Sequence, residues 1–267
     1  MLRQPAAPAA VDSSQAHALR GSWQSAVAIA ACSAAALALS LWPFLAGAGA
    51  DPLASSSVLL VVMPALLLLV LAQVMDGSMD AKTLALLGVL SAAVALIRPL
   101  GSGVGGVETV FFLLILGGRV FGATFGFALG GVSLLASALL TGGVGPWLGM
   151  QMMCSAWLAA GAGLLPRRLR GRAEIALLAA YGVIASYLFG ALMNLWFWPS
   201  MAGAGAAASG IGFDPAASAG ANWGRFMVFT VVTSTTSWDT VRAVTCALVL
   251  ILIGRPILAL LRRAGSR

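Results

Sequence analysis

The stretch Pro166-Arg167-Arg168-Leu169-Arg170-Gly171-Arg172-Ala173-Glu174 runs directly into IALLAAYGVIASYLFGALMNLWFW, residues 175–198. A helix of about 20 mostly apolar residues crosses the hydrocarbon core of a bilayer. Arginines crowded beside such a run mark its cytoplasmic flank. The stretch therefore predicts one membrane helix, 174–198, and also its direction. Outward from it the pattern repeats. Comparable apolar runs lie at 24–46, 56–75, 83–98, 107–121, 122–142, 147–165 and 229–254, giving eight predicted spans in all.

Composition agrees with that reading. Of 267 residues 60% are hydrophobic and 9% charged, with a mean hydropathy of +0.99. A soluble domain carries about 25% charged residues, so this chain cannot clothe a water-facing surface. The expected fold class is an all-α integral membrane protein. One histidine, His17, and eight acidic residues exclude a Ser-His-Asp triad or a multi-histidine metal site within the membrane. Cys32, Cys154 and Cys246 stand singly in apolar runs and read as small packing residues. No metal, cofactor or enzymatic activity is expected.

Basic residues set the topology. With the N-terminus inside, the cytoplasmic segments hold Arg3, Arg20, Lys82, Arg119, Arg167, Arg168, Arg170, Arg172, Arg255, Arg262, Arg263 and Arg267, 12 of the 15. The outward loops 47–55, 100–106, 143–146 and 199–225 hold only Arg225, with Arg98 at a span end and Arg242 within the last span. Eight spans with both termini cytoplasmic follow, and the expected location is the cell membrane. Residues 1–21 read as a disordered tail. Ala48-Gly49-Ala50 resembles a signal-peptidase site, but the apolar run before it exceeds the usual 7–15 residues. Gly117 to Gly122 reads as a tight turn between two spans. The segment 199–225 reads as a lid or a linker.

Ionisable groups inside spans are costly and mark function by default. Arg98, Glu108, Asp239 and Arg242 qualify, and Gln151 and Asn194 join them as amides. All six fall in the outer half of the predicted bundle. Two readings stand: a structural Asp239–Arg242 pair, three residues apart on one helical face, or an outward-facing pocket of convergent polar groups. Trp42, Trp147, Trp196, Trp198 and Trp223 crowd the outer boundary against Trp23 at the inner one. An aromatic belt explains most of them, and the excess leaves Trp198 to stack on a planar ligand. Gly88, Ser91, Ala92 and Ala95 give the third span small residues suited to close helix contact.

Several motifs then resemble a known family. They are Leu86-Leu87-Gly88-Val89-Leu90-Ser91-Ala92-Ala93 with Arg98-Pro99-Leu100-Gly101, Glu108-Thr109-Val110-Phe111-Phe112, Gly118-Arg119-Val120-Phe121-Gly122, Gly142-Gly143-Val144-Gly145-Pro146-Trp147, and Trp238-Asp239-Thr240-Val241-Arg242-Ala243. Together they resemble the substrate-binding (S) subunits of energy-coupling factor (ECF) transporters, in the actinobacterial branch assigned to cobalamin or a related vitamin. The resemblance implies a six-helix S-component core at 82–262, preceded by two additional N-terminal helices at 22–81 and followed by a short cytoplasmic end, 263–267. It implies a vitamin captured from outside and delivered with a transmembrane coupling (T) subunit and two cytoplasmic ATPase subunits. The family's partner contact carries over onto Gly88, Ser91, Ala92 and Ala95. Its vitamin site carries over onto 100–106, Gln151, Asn194, Trp198, Asp239 and Arg242, beside Arg98 and Glu108.

Three rivals remain. One is an S subunit for another vitamin, such as riboflavin, thiamine or biotin. Another is a stand-alone ion-coupled transporter with Asp239 or Glu108 as the titrating carboxylate, against which the absence of an internal repeat argues. The third, a lipid-modifying enzyme, would have to work through Glu174 and the arginines around it, which read as topology.

Overall fold

The computed structural model describes residues 23–45, 64–65, 67–68, 70–72, 79–101, 105–201 and 210–266, and of 200–201 only the backbone. The predicted tail 1–21, the loop 47–55 with its signal-peptidase-like site, most of the predicted span 56–75, and residues 102–104 and 202–209 lie outside them. Among the described residues every regular element is helical. They are α1 (Trp23–Ser40), α2 (Trp42–Leu45), α3 (Ala81–Ile97) with a 3-10 turn at Arg98–Gly101, α4 (Phe111–Phe121), α5 (Ala123–Thr141), α6 (Leu148–Leu164), α7 (Gly171–Met201), α8 (Ala219–Thr230) and α9 (Thr240–Ser266). A π-helical segment, Val231–Asp239, joins α8 to α9.

Five stretches are long and apolar enough to cross a membrane: Trp23–Ser40, Ala81–Gly101, Ala123–Thr141, Gly171–Pro199 and Ala219–Ser266. Helices α4 and α6 are apolar but shorter. The expected span 107–121 thus contracts to the 11 residues of α4, about 16 Å at 1.5 Å per residue. The cause is local. Glu108 accepts the Val110 N–H on its own carboxylate at 3.1 Å, a side-chain bond that competes with helix formation. Nearly every α4 residue is buried, so this helix, apolar but for Arg119 near its end, runs through the centre of the bundle. The last helix departs in the other direction. It begins at Ala219, inside the segment read as loop, where Ser218 Oγ caps it by accepting the Ala221 N–H at 3.3 Å.

Packing centres on α5 against α6, with α4 wedged between α6 and α9, α3 lying along α5, and α7 along α9. Glycine makes the central contact possible. A Cβ on Gly126 or Gly130 would strike the α6 backbone between Ser155 and Ala160, and one on Gly118 would strike Ala159. These are small residues used for close backbone approach. The turn from α4 to α5 consists of Gly122 alone, at φ 99°, a conformation that L side chains rarely adopt. One end of the bundle is closed by ion pairs. Buried Glu174 Oε1 accepts from Arg119 Nε at 2.8 Å and from Arg262 Nη2 at 2.7 Å, while Arg119 also donates to the carbonyls of Leu165 and Pro166. Arg119 and Glu174, read from sequence only as topology markers, join α4, α7, α9 and the α6–α7 loop.

Candidate functional site

The π segment carries Thr233-Ser234-Thr235-Thr236-Ser237, whose hydroxyls can bond to nearby carbonyls and so disturb α-helical geometry. Thr240 Oγ1 donates to Thr235 O, five residues back, at 2.7 Å. Thr233 Oγ1 donates to Phe229 O at 2.7 Å. The wider turn brings Ser234 and Asp239, five apart, together: Ser234 Oγ donates to Asp239 Oδ2 at 2.8 Å. Opposite them, α7 has Gly190, and a Cβ there would land on the Asp239 carboxyl carbon and both its oxygens. The missing side chain is what admits a buried carboxylate between two packed helices.

A polar chain extends from that carboxylate. Arg242 Nη1 donates to Asp239 Oδ1 at 2.6 Å, and its Nε lies 3.8 Å from Glu108 Oε2. The guanidinium sits over Phe189 at 5.1 Å and Phe111 at 5.9 Å from the ring centroids, both within cation–π range. Asn194, one turn beyond Gly190, donates through Nδ2 to Ser234 Oγ at 2.6 Å. Glu108 is brought alongside by Gly106 (φ 82°), where a Cβ would meet the Trp238 backbone. The Glu108 N–H donates to Thr245 Oγ1 at 3.2 Å. On the other side Arg98 donates to Gln151 Oε1 at 3.1 Å and to Ser137 Oγ at 3.3 Å.

A cavity of about 450 Å³ opens between α7 and the π segment. Asp239, Ser234 and Gly190 line it beside Arg242, Asn194, Gln151 and Met193. Phe189, Phe197, Phe229 and Trp238 supply aromatic surface, and Thr233 completes the lining. Phe197, Thr233 and Trp238 are exposed and frame the mouth. Most ligand sites are concave, largely apolar and furnished with a few polar groups, at about 300–1,000 Å³, and this cavity matches that description.

Of the residues singled out from sequence, Gln151, Asn194, Asp239 and Arg242 share this wall. Arg98 and Glu108 stand behind it, each touching one member. Trp198 is placed elsewhere. It is buried among Leu195, Phe213 and Phe226, stacks on Phe44, and donates through Nε1 to Ile211 O at 2.9 Å. The expectation that it stacks on a ligand is therefore corrected: its ring is already enclosed by other aromatics. In the lid-or-linker segment 199–225, residues 199–201 end α7 and 219–225 begin α8, and of the described residues between them 210–217 fold onto that aromatic cluster and not over the cavity. Asn222 bonds the Asp214 backbone in both directions, and Arg225 pairs with Asp214 at 3.4 Å. The small-residue set on α3 also divides. Gly88 and Ala92 face outward, whereas Ser91 and Ala95 are buried, so the four do not share one face.

Sequence reasoning passed over Gly190, Ser234 and Phe189, and took Trp238 only as part of a motif. Gly190 had a signal, standing four residues before Asn194 and so on the same helical face. Ser234 had none, because a five-residue spacing to Asp239 is out of phase in an α-helix. The site holds hydrogen-bonding and aromatic groups. No family model, no curated protein and no solved structure matches this chain.

Proposed function

We propose that this chain is the substrate-capturing subunit of an ECF-type vitamin uptake transporter. The observation that carries the reading is the cavity: Gln151, Asn194 and the Asp239–Arg242 pair, from three separate parts of the chain, line one space of about 450 Å³. On this reading the membrane is crossed eight times with both termini cytoplasmic, and the cavity mouth faces outward. The core is 82–262, and the pair of helices in 22–81 is an addition. A T subunit and two cytoplasmic ATPases supply the energy. The T subunit docks on the outward face of α3, where Ala85, Gly88 and Ala92 follow at helical spacing and are exposed. Ser91 and Ala95 serve packing within the subunit.

Cobalamin, or a precursor of it, is the ligand that the motif resemblance suggests, with riboflavin, thiamine and biotin as alternatives. The cavity volume favours the smaller compounds. The test is purification from a membrane that also contains the T and ATPase subunits. The reading expects those subunits to co-purify and a vitamin to be identified by mass spectrometry in the extract. A protein that carries neither, and that alone in vesicles drives uptake along a proton or sodium gradient, would instead be an ion-coupled transporter working through Asp239 or Glu108.

A further inference from the structure

We infer that the cavity takes an uncharged, planar heterocycle bearing an amide or ureide edge, and that it excludes both phosphorylated compounds and corrinoids. This rests on the capture reading above and narrows its ligand. Charge is the first argument. Two arginines, Arg98 and Arg242, stand with two acids, Glu108 and Asp239, and Arg242 is held by both acids and by two phenyl faces. The four formal charges cancel. An ionic ligand would bring an uncompensated charge into a half-enclosed, aromatic-walled space, which is costly without a partner.

Hydrogen bonding gives the second argument. Gln151 turns its Oε1 to Arg98, which leaves its NH2 as the group it can offer a ligand. Asn194 turns its Nδ2 to Ser234, which leaves its Oδ1 as an acceptor. Fixed by different neighbours, the two amides leave one donor and one acceptor for the cavity that both residues line. Their complement is a group with an acceptor and a donor of its own, the C=O and N–H of a cyclic amide or ureide. A site built to pair such a group rejects analogues that lack it, because its own polar atoms are then left unpaired. Phe229 and Trp238 suit a flat ring body. The volume of about 450 Å³ holds a two- or three-ring compound and is far below a corrin with its side chains.

The experiment is fluorescence titration of the purified full-length protein in detergent with lumichrome, an uncharged tricycle with a ureide edge. Comparison ligands are 1,3-dimethyllumichrome, which lacks both ring N–H donors, flavin mononucleotide, which adds a phosphate to a similar ring, and cobalamin. Saturable lumichrome binding is expected, with the dimethyl compound weaker by about 10- to 100-fold, as for one or two lost hydrogen bonds, and with flavin mononucleotide, whose ring keeps an N–H edge, weaker because its phosphate charge finds no partner in the cavity. Gln151→Glu keeps the oxygen that faces Arg98 and replaces the donor by an acceptor. Once far-ultraviolet circular dichroism shows that it is folded, this variant should bind lumichrome weaker by a similar factor. Equal binding of lumichrome and its dimethyl derivative, flavin mononucleotide binding as tight as that of lumichrome, equal binding by Gln151→Glu, or saturable cobalamin binding, each overturns the inference. Co-purification of the T subunit is independent of these titrations. Where it persists, the capture reading survives and only the ligand class fails.

Discussion

Gly190→Ala tests the central geometric claim, that the absence of a side chain on α7 makes room for the Asp239 carboxylate. In an isolated helix the change is favourable by about 1 kcal/mol, since alanine is the better helix former. Here the new methyl group falls on the carboxyl carbon and both oxygens of a buried side chain. Asp239 must leave or the helices must part. Leaving breaks the Ser234 bond at 2.8 Å and the Arg242 bond at 2.6 Å, each worth about 1.5–3 kcal/mol as a charged hydrogen bond. Subtracting the helix gain leaves an expected loss of about 2–5 kcal/mol. Gly88→Ala is the internal control: nothing lies within contact of a Cβ there, so only the propensity gain of up to about 1 kcal/mol remains. Chemical unfolding in detergent micelles, followed by far-ultraviolet circular dichroism, compares the two. Adding Asp239→Ala to Gly190→Ala should cost less than the sum of the single changes, by about 1–3 kcal/mol of coupling. A Gly190→Ala protein as stable as the wild type would refute the argument.

Four further outcomes are expected. Gly88→Leu and Ala92→Leu should fold normally and lose co-purification with a T subunit, whereas Ser91→Leu, at a buried position, should destabilise the subunit itself; unchanged complex formation by both surface variants would place the contact elsewhere. Glu174→Gln should cost about 3 kcal/mol in the same unfolding assay, because Arg119 is left buried without its carboxylate; a neutral effect would mean that the carbonyls of Leu165 and Pro166 suffice. Cysteine introduced as Arg170→Cys should resist a membrane-impermeant thiol reagent in intact cells and react after permeabilisation; labelling in intact cells would invert the topology. Asp80 caps α3 by accepting the Thr83 N–H at 2.8 Å, and the hydrogen bond from Thr83 holds its carboxyl below the usual carboxylate range. A depressed carboxyl contributes stability above its unfolded value and loses it as pH falls through the folded one. Hydrogen-exchange protection of the Thr83 amide should therefore drop below about pH 4 and stay flat in Asp80→Asn, and a parallel drop in that variant would remove Asp80 as the cause.

The sequence by itself determined that the chain is helical and apolar, because a 9% share of charged residues and runs near 20 residues allow little else. It also determined which polar residues are out of place. Gln151, Asn194, Asp239 and Arg242 are conspicuous in apolar runs, and cost alone marks them. Element lengths were less legible. α4 is shorter than its apolar run because one side chain, Glu108, takes a backbone donor, and the last helix starts early because Ser218 caps it. Only the tertiary structure decided what meets what. Trp198 looked like a ligand platform by position, yet packing against Phe213 and Phe226 encloses it. Ser91 and Ala92 are adjacent and both small, yet one is buried and the other exposed. The meeting of Ser234 with Asp239 depends on a π-helical turn, and that of Asp239 with Gly190 on the register of two helices nearly 50 residues apart. Periodicity carries the faces of one helix. Which faces touch is set by the summed packing of all of them, and no local spacing encodes it.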